Sequence, residues 1–168
     1  MLSDKSRPVI EATLPVVGAH VEEIAKCFYR RMFTAHPELL DGTFNRGNQA
    51  SGGQQQALAG AVAAFATALV KTPDHLPENL LARIAQKHAS LGIQPEQYQI
   101  VHDNLMAAIA EVLGDAVTPD IAAAWEEVYW LMAYTLIHVE RGLYSACGGE
   151  TADGMAAMGG REDDSGDR

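Results

Sequence analysis

The residues able to do chemistry are polar side chains that interrupt apolar helical faces. His88 falls in line with Leu81, Ile84 and Leu91. A neutral imidazole at such a place can ligate iron if an acceptor holds its other nitrogen. Tyr29 lies between Phe28 and Met32. Gln54 precedes Leu58, Ala61 and Phe65 at helical intervals. Tyr98 and Glu140 sit on the apolar faces of two later helices. A buried polar group is costly unless it is paired, so each of these needs a partner or a task.

On spacing alone each also has a plainer reading, and the plainer reading is favoured. His88 reads as a core histidine bonded to a carbonyl, and Tyr29 as an ordinary buried phenol. Gln54 reads as an exposed residue in a first turn that continues Gln55-Gln56. Glu140 reads as a helix-margin glutamate that reaches water and pairs loosely with Arg141. Together, two inward polar groups early in the chain and three later suit a pocket with two differently equipped sides.

The elements that must position these groups read as helices. The apolar sets are Val9, Ile10, Thr13, Leu14 and Val17 behind a Ser3 cap; Ile24, Ala25, Phe28, Met32 and Phe33; and Leu58, Ala61, Val62, Phe65 and Leu69. Then come Leu80, Leu81, Ile84, Ala85, His88 and Leu91, and Tyr98, Val101, Leu105, Ala108, Ile109 and Val112. A last long helix restarts at Thr118-Pro119-Asp120 and runs to about Tyr144. All repeat with helical period. Gly18, Pro37, the Pro73 and Pro77 pair, Gly92, Pro95 and Gly114 punctuate them. No strand is expected. The fold class is all-α, with about six main helices.

Length and composition bound the rest. The 168 residues suit one domain, and 48% are hydrophobic, enough for a core. The expected organisation is a helical domain over 1–146 and a disordered acidic, Gly- and Met-containing tail over 147–168. A net charge of −10 argues against nucleic acid or an anionic membrane as partner. No apolar stretch reaches spanning length and no signal peptide is expected, which points to the cytoplasm. Cys27 and Cys147 form neither a metal set nor a CxxCH attachment motif; Cys27 reads as a small buried apolar residue. Met155 and Met158 lie in the tail and are not expected to be ligands. His20, His36, His75, His102 and His138 are expected at surface or ordinary core positions.

Three segments carry a resemblance to a known family. They are Phe28-Tyr29-Arg30-Arg31-Met32-Phe33 with His36-Pro37-Glu38-Leu39; Phe44-Asn45 and Asn48-Gln49 with Gln54 and Ala57-Leu58; and Ile84-Ala85-Gln86-Lys87-His88 with Pro95-Glu96-Gln97-Tyr98 and Ile100-Val101. From about Leu2 to about Ala146 the chain resembles the globin domain of bacterial flavohaemoglobins and their single-domain relatives. The resemblance implies a globin fold around non-covalent haem b, with His88 as the proximal iron ligand. It gives Tyr98 and Glu140 as the pair that hydrogen-bonds the proximal histidine region, Phe44 as the phenylalanine on the haem face, and Lys87 as a propionate partner. Tyr29, Gln54 and Leu58 become the distal residues.

The activity implied is O2 binding and conversion of NO to nitrate, with O2 and NO as ligands. No flavin or nicotinamide domain is read after Tyr144, so a separate flavin reductase is expected as partner. Pairing into a homodimer through late helices is compatible with the resemblance. Two other functions stay open: non-enzymatic O2 binding, storage or delivery, and a repurposed haem enzyme with peroxidase-like or nitrogen-oxide chemistry, in which Trp130 or Tyr134 shapes the cavity.

Overall fold

The structure is a computed structural model that describes residues 1–40 and 53–156, with side chains described for 1–39, 57–58 and 60–146. Among the described residues there are six α-helices and no strand. They are α1 (Ser6–Ala19), α2 (Val21–Ala35), α3 (Gly53–Lys71), α4 (Glu78–Leu91), α5 (Pro95–Leu113) and α6 (Pro119–Ala156). Short 3-10 turns occupy Pro37–Leu40 and Gly114–Ala116.

The helix ends follow local chemistry. Gly92 ends α4 in the left-handed conformation with φ 69°, which a residue without Cβ adopts cheaply. Pro95 takes the first turn of α5, where a missing N–H costs nothing, and Gln94 with Gln97 closes a capping box there. The Thr118 hydroxyl accepts the Ile121 N–H at the start of α6. Ser3, the expected cap, lies two residues before the position that flanks α1. Its hydroxyl accepts the Ser6 N–H at 3.2 Å, and Lys5 is the residue flanking α1. The last helix also differs. It continues past Tyr144 and the backbone stays helical to Ala156, so the first part of the 147–168 segment is helical. No proline interrupts it there, and a glycine pair weakens a helix without ending it.

Packing places the core between these helices. Helix α2 lies on α5 and α3, α4 on α6, and α1 on α6. Ile10, Met32, Phe65 and Leu69 are almost wholly buried. Each such large side chain contributes roughly 1.5–3 kcal/mol through removal from water. Three hydrogen bonds pin α6, the helix that carries Glu140. Trp125 Nε1–H donates to Thr13 Oγ1 at 3.1 Å, Tyr129 O–H to the Tyr98 carbonyl at 2.6 Å, and Tyr144 O–H to the Ile93 carbonyl at 2.9 Å. The last two bonds set the register of α6 against α5 and against the α4–α5 turn. Among the described residues no helix is long and apolar enough to cross a membrane.

Candidate functional site

The helices enclose a cavity of about 730 Å³. Its wall is apolar over most of its surface, with Ile24, Phe28, Leu58, Val62, Ile84, Val101, Val128, Met132 and Leu136 among the lining residues. A volume in this range holds a large flat organic group, and the apolar wall would remove most of that group from water. The polar lining groups are few: Tyr29, Arg83, Lys87, His88, Gln97, Tyr98 and Tyr129.

Helix α4 presents His88 to this cavity through the same apolar stripe that buries Leu81 and Ala85. The imidazole is fixed from behind. Its Nδ1–H donates to Glu140 Oε1 at 2.9 Å, and Nδ1 lies 2.9 Å from Tyr98 Oη. The Tyr98 O–H donates to the same Glu140 oxygen at 2.7 Å. One carboxylate oxygen thus gathers two donors from two helices. Glu140 is 2% exposed, which overturns the solvent-reaching reading and the loose pair with Arg141. The burial is tolerable because both protons aimed at the carboxylate are provided by neighbours. Burial, then the Glu140 carboxylate, drives the Tyr98 phenol far above its ordinary titration range. Tyr98 therefore stays a donor.

With Nδ1 committed, Nε2 is the nitrogen left for a metal, and its tautomer is fixed by the bond behind it. Among the described residues no cluster of three or more His, Cys, Asp or Glu could hold an ion unaided. A single imidazole facing a large apolar cavity suits a metal that arrives within a macrocycle. The residues present fit haem b. The cavity gives the volume, His88 the axial nitrogen, and Arg83 with Lys87 a cationic edge. Those two cations lie one helical turn apart on α4, at the exposed margin of the lining.

Tyr29 faces the cavity from α2 and is 7% exposed. Phe28 meets its ring edge-on at 4.7 Å and Phe33 stacks on it at 5.5 Å. Burial pushes its phenol up to about 12. Leu58 lines the cavity from α3. The Gln54 backbone belongs to the first turn of α3, but its side chain lies outside the described residues, and Phe44 lies outside them altogether.

Sequence reasoning missed two parts of this wall. Arg83 lines the cavity beside Lys87, and a charge on an exposed helix face gives no signal to single it out. Tyr129 lines it too, its O–H donating to the backbone carbonyl of Tyr98. Trp130 and Tyr134, either of which shapes the cavity in the repurposed-enzyme alternative, are not in its lining. Trp130 packs behind the lining residue Tyr129, and Tyr134 is 65% exposed. Cys27 is buried and free, as expected. His102 is nearly covered by Tyr129 and Trp130, and its Nε2 has no partner among the described residues.

The sequence of residues 26–136 matches the Globin family model. The chain belongs to the globin family. This globin is 47% identical over 143 residues to a flavohemoprotein of Halalkalibacterium halodurans, a match covering 85% of the chain and 34% of that relative. It thus spans about a third of the length of such curated relatives. Among solved structures it superposes on a flavohemoglobin from Malassezia yamatoensis with bound FAD and heme. The TM-score is 0.83 and the identity 53%, over 86% of this chain and 38% of that one. It also superposes on an engineered carbene transferase from Rhodothermus marinus, provisionally named a nitric oxide dioxygenase. There the TM-score is 0.77 and the identity 29%, over 88% of this globin and 99% of that chain.

Proposed function

We propose that this globin binds haem b and O2 and converts NO to nitrate, with electrons returned by a separate flavin reductase. The observation that carries the proposal is the Glu140 carboxylate on His88 Nδ1 at 2.9 Å. When bound, haem b supplies the iron at which O2 and NO combine. His88 would hold that iron through Nε2. The buried carboxylate behind it gives the imidazole anionic character, which favours higher oxidation states of a ligated metal. That bias suits chemistry on O2 better than its reversible release.

The remaining lining residues bind and orient. The Tyr29 hydroxyl keeps its proton across the neutral range and would donate to the partial negative charge on bound O2. Leu58 would limit the space over the gas, and Gln54 and Phe44 would take the distal and haem-face roles given by the resemblance. Arg83 and Lys87 would pair with the haem propionates at the cavity margin. The likeness to flavohemoproteins supports the NO chemistry and the reductase, and the name of the Rhodothermus marinus protein supports the NO chemistry. No described helix is a membrane span, in keeping with a cytoplasmic site of action.

The test is a stopped-flow mixing of the oxygenated ferrous protein with NO. Rapid loss of the oxy spectrum with nitrate formed in equal amount is expected. Persistence of the oxy spectrum without nitrate would overturn the proposal, and fast O2 release in the same protein would point to storage or delivery.

A further inference from the structure

Five tyrosines are present in the sequence, and three of them, Tyr29, Tyr98 and Tyr129, line the cavity. From Tyr129 a run of aromatic rings leads outward along α6. Tyr129 meets Trp130 edge-on with centroids 5.2 Å apart, and Trp130 stacks on Tyr134 at 5.2 Å with planes 26° apart. His102 from α5 fills the corner between Tyr129 and Trp130, at 5.3 Å and 4.9 Å from their rings. The run ends in solvent, since Tyr134 is 65% exposed. One face of the Tyr134 ring stacks on Trp130 and most of the rest is open to solvent, outside the lining that the O2 and NO reading uses.

We propose that Tyr129, Trp130 and Tyr134 form a relay that carries an oxidising equivalent from the cavity to the surface, making Tyr134 a site of one-electron oxidation when the protein meets a hydroperoxide. The inference rests on the haem reading of the cavity, and the oxidant is the hydroperoxide itself.

The direction follows from where protons can go. Electron exchange between groups falls off steeply with distance, so rings in contact exchange electrons readily. A phenol oxidised by one electron becomes strongly acidic and settles only if a base takes its proton. The Tyr129 O–H donates to a backbone carbonyl, which is no base, so an electron vacancy on Tyr129 does not stay there. Trp130 passes it on by taking an electron from Tyr134. Tyr134 loses its proton to water and becomes a neutral phenoxyl. Two such radicals on two chains couple by a new carbon–carbon bond. The balance closes: two tyrosines give up two electrons and two protons to form one dityrosine, and the hydroperoxide takes both to give an alcohol and water as its O–O bond breaks.

The experiment treats the haem-loaded full chain with hydrogen peroxide and follows covalent dimer, dityrosine fluorescence and the modified peptide by mass spectrometry. The wild type should give a dimer linked at Tyr134. Tyr134→Phe should lose it, and Trp130→Phe should lose it although Tyr134 remains. Tyr144→Phe, which removes the other partly exposed tyrosine, should keep it. In each variant an unchanged response of the Soret band to peroxide shows that the oxidant still reaches the cavity. A dimer undiminished in Trp130→Phe, or a link mapped to Tyr144, overturns the relay alone. A purified chain with no Soret band overturns the relay and the haem reading together.

Discussion

Glu140 on α6 accepts the Nδ1–H of His88 on α4 at 2.9 Å, across a sequence separation of 52 residues. The carboxylate is almost wholly buried, so water screens it little. Glu140→Gln keeps an acceptor at that place and removes the charge. The midpoint potential of the bound iron should rise, and NO turnover should fall about 10–100-fold, the usual cost of losing a partner behind a metal-bound histidine. Potentiometric titration beside nitrate assay measures both. An unchanged potential would show that the carboxylate acts only as a structural acceptor.

Removing the acceptor entirely is a different change. Glu140→Ala would leave the His88 and Tyr98 protons facing a void, and each buried unsatisfied donor costs about 1–3 kcal/mol. Urea denaturation of the haem-free protein isolates this effect from ligation. Glu140→Ala should be markedly less stable than Glu140→Gln; equal midpoints would mean that water replaces the carboxylate at no cost.

The Tyr29 hydroxyl should govern how long O2 stays. A hydrogen bond to a charged acceptor contributes about 1.5–3 kcal/mol, which is roughly a ten- to hundredfold change in rate. Tyr29→Phe should speed O2 dissociation by that factor and leave CO, a much poorer acceptor, nearly unaffected. Flash photolysis with both gases checks this. Parallel acceleration of CO release would assign the effect to cavity space instead.

How much of this was legible depended on the kind of signal. His88, Tyr98 and Glu140 stood out because polar groups on apolar stripes are expensive, and the structure joins them in one hydrogen-bonded set. Periodicity could not choose between that arrangement and three separate satisfied residues, because the choice turns on contacts between helices far apart in sequence. Arg83 was invisible because charge on an outer helix face is the ordinary state of a helix. Trp130 and Tyr134, either of which shaped the cavity in one open alternative, lie off its lining while Tyr129 is on it, because one residue of register moves a side chain about a quarter turn around α6. Helix starts at Pro95 and Pro119 were readable from local chemistry. The end of α6 was not, since no stop signal marks it.

Alkaline stability should carry the signature of the buried phenols. Burial raises Tyr29 from an ordinary value of 10.0 to about 12, so between those values the folded chain holds a proton that the unfolded chain has released. Stability is therefore full below pH 10 and falls as pH rises toward 12, by about 3 kcal/mol from this group. Tyr98 and Tyr129 are driven the same way by burial and add to the loss. Between pH 8 and alkaline pH the denaturation midpoint of wild type should fall further than that of Tyr29→Phe. A constant difference across the range would mean that Tyr29 ionises freely in the folded state.

Gly92 separates backbone strain from the chemistry of the site. Its left-handed conformation ends α4 just after His88, and the Ile93 N–H closes the end on the His88 carbonyl at 3.1 Å. A Cβ added at Gly92 would meet nothing within 4 Å, so Gly92→Ala brings no clash and its cost is conformational alone. That cost is about 1–2 kcal/mol. The imidazole is held from α5 and α6 through Tyr98 and Glu140, not by the helix end, so the Soret spectrum and O2 kinetics should stay as in wild type while the thermal midpoint falls. If the spectrum shifts with the midpoint, the position of His88 depends on the turn after it, and the bonds to Tyr98 and Glu140 are not sufficient to fix the ring.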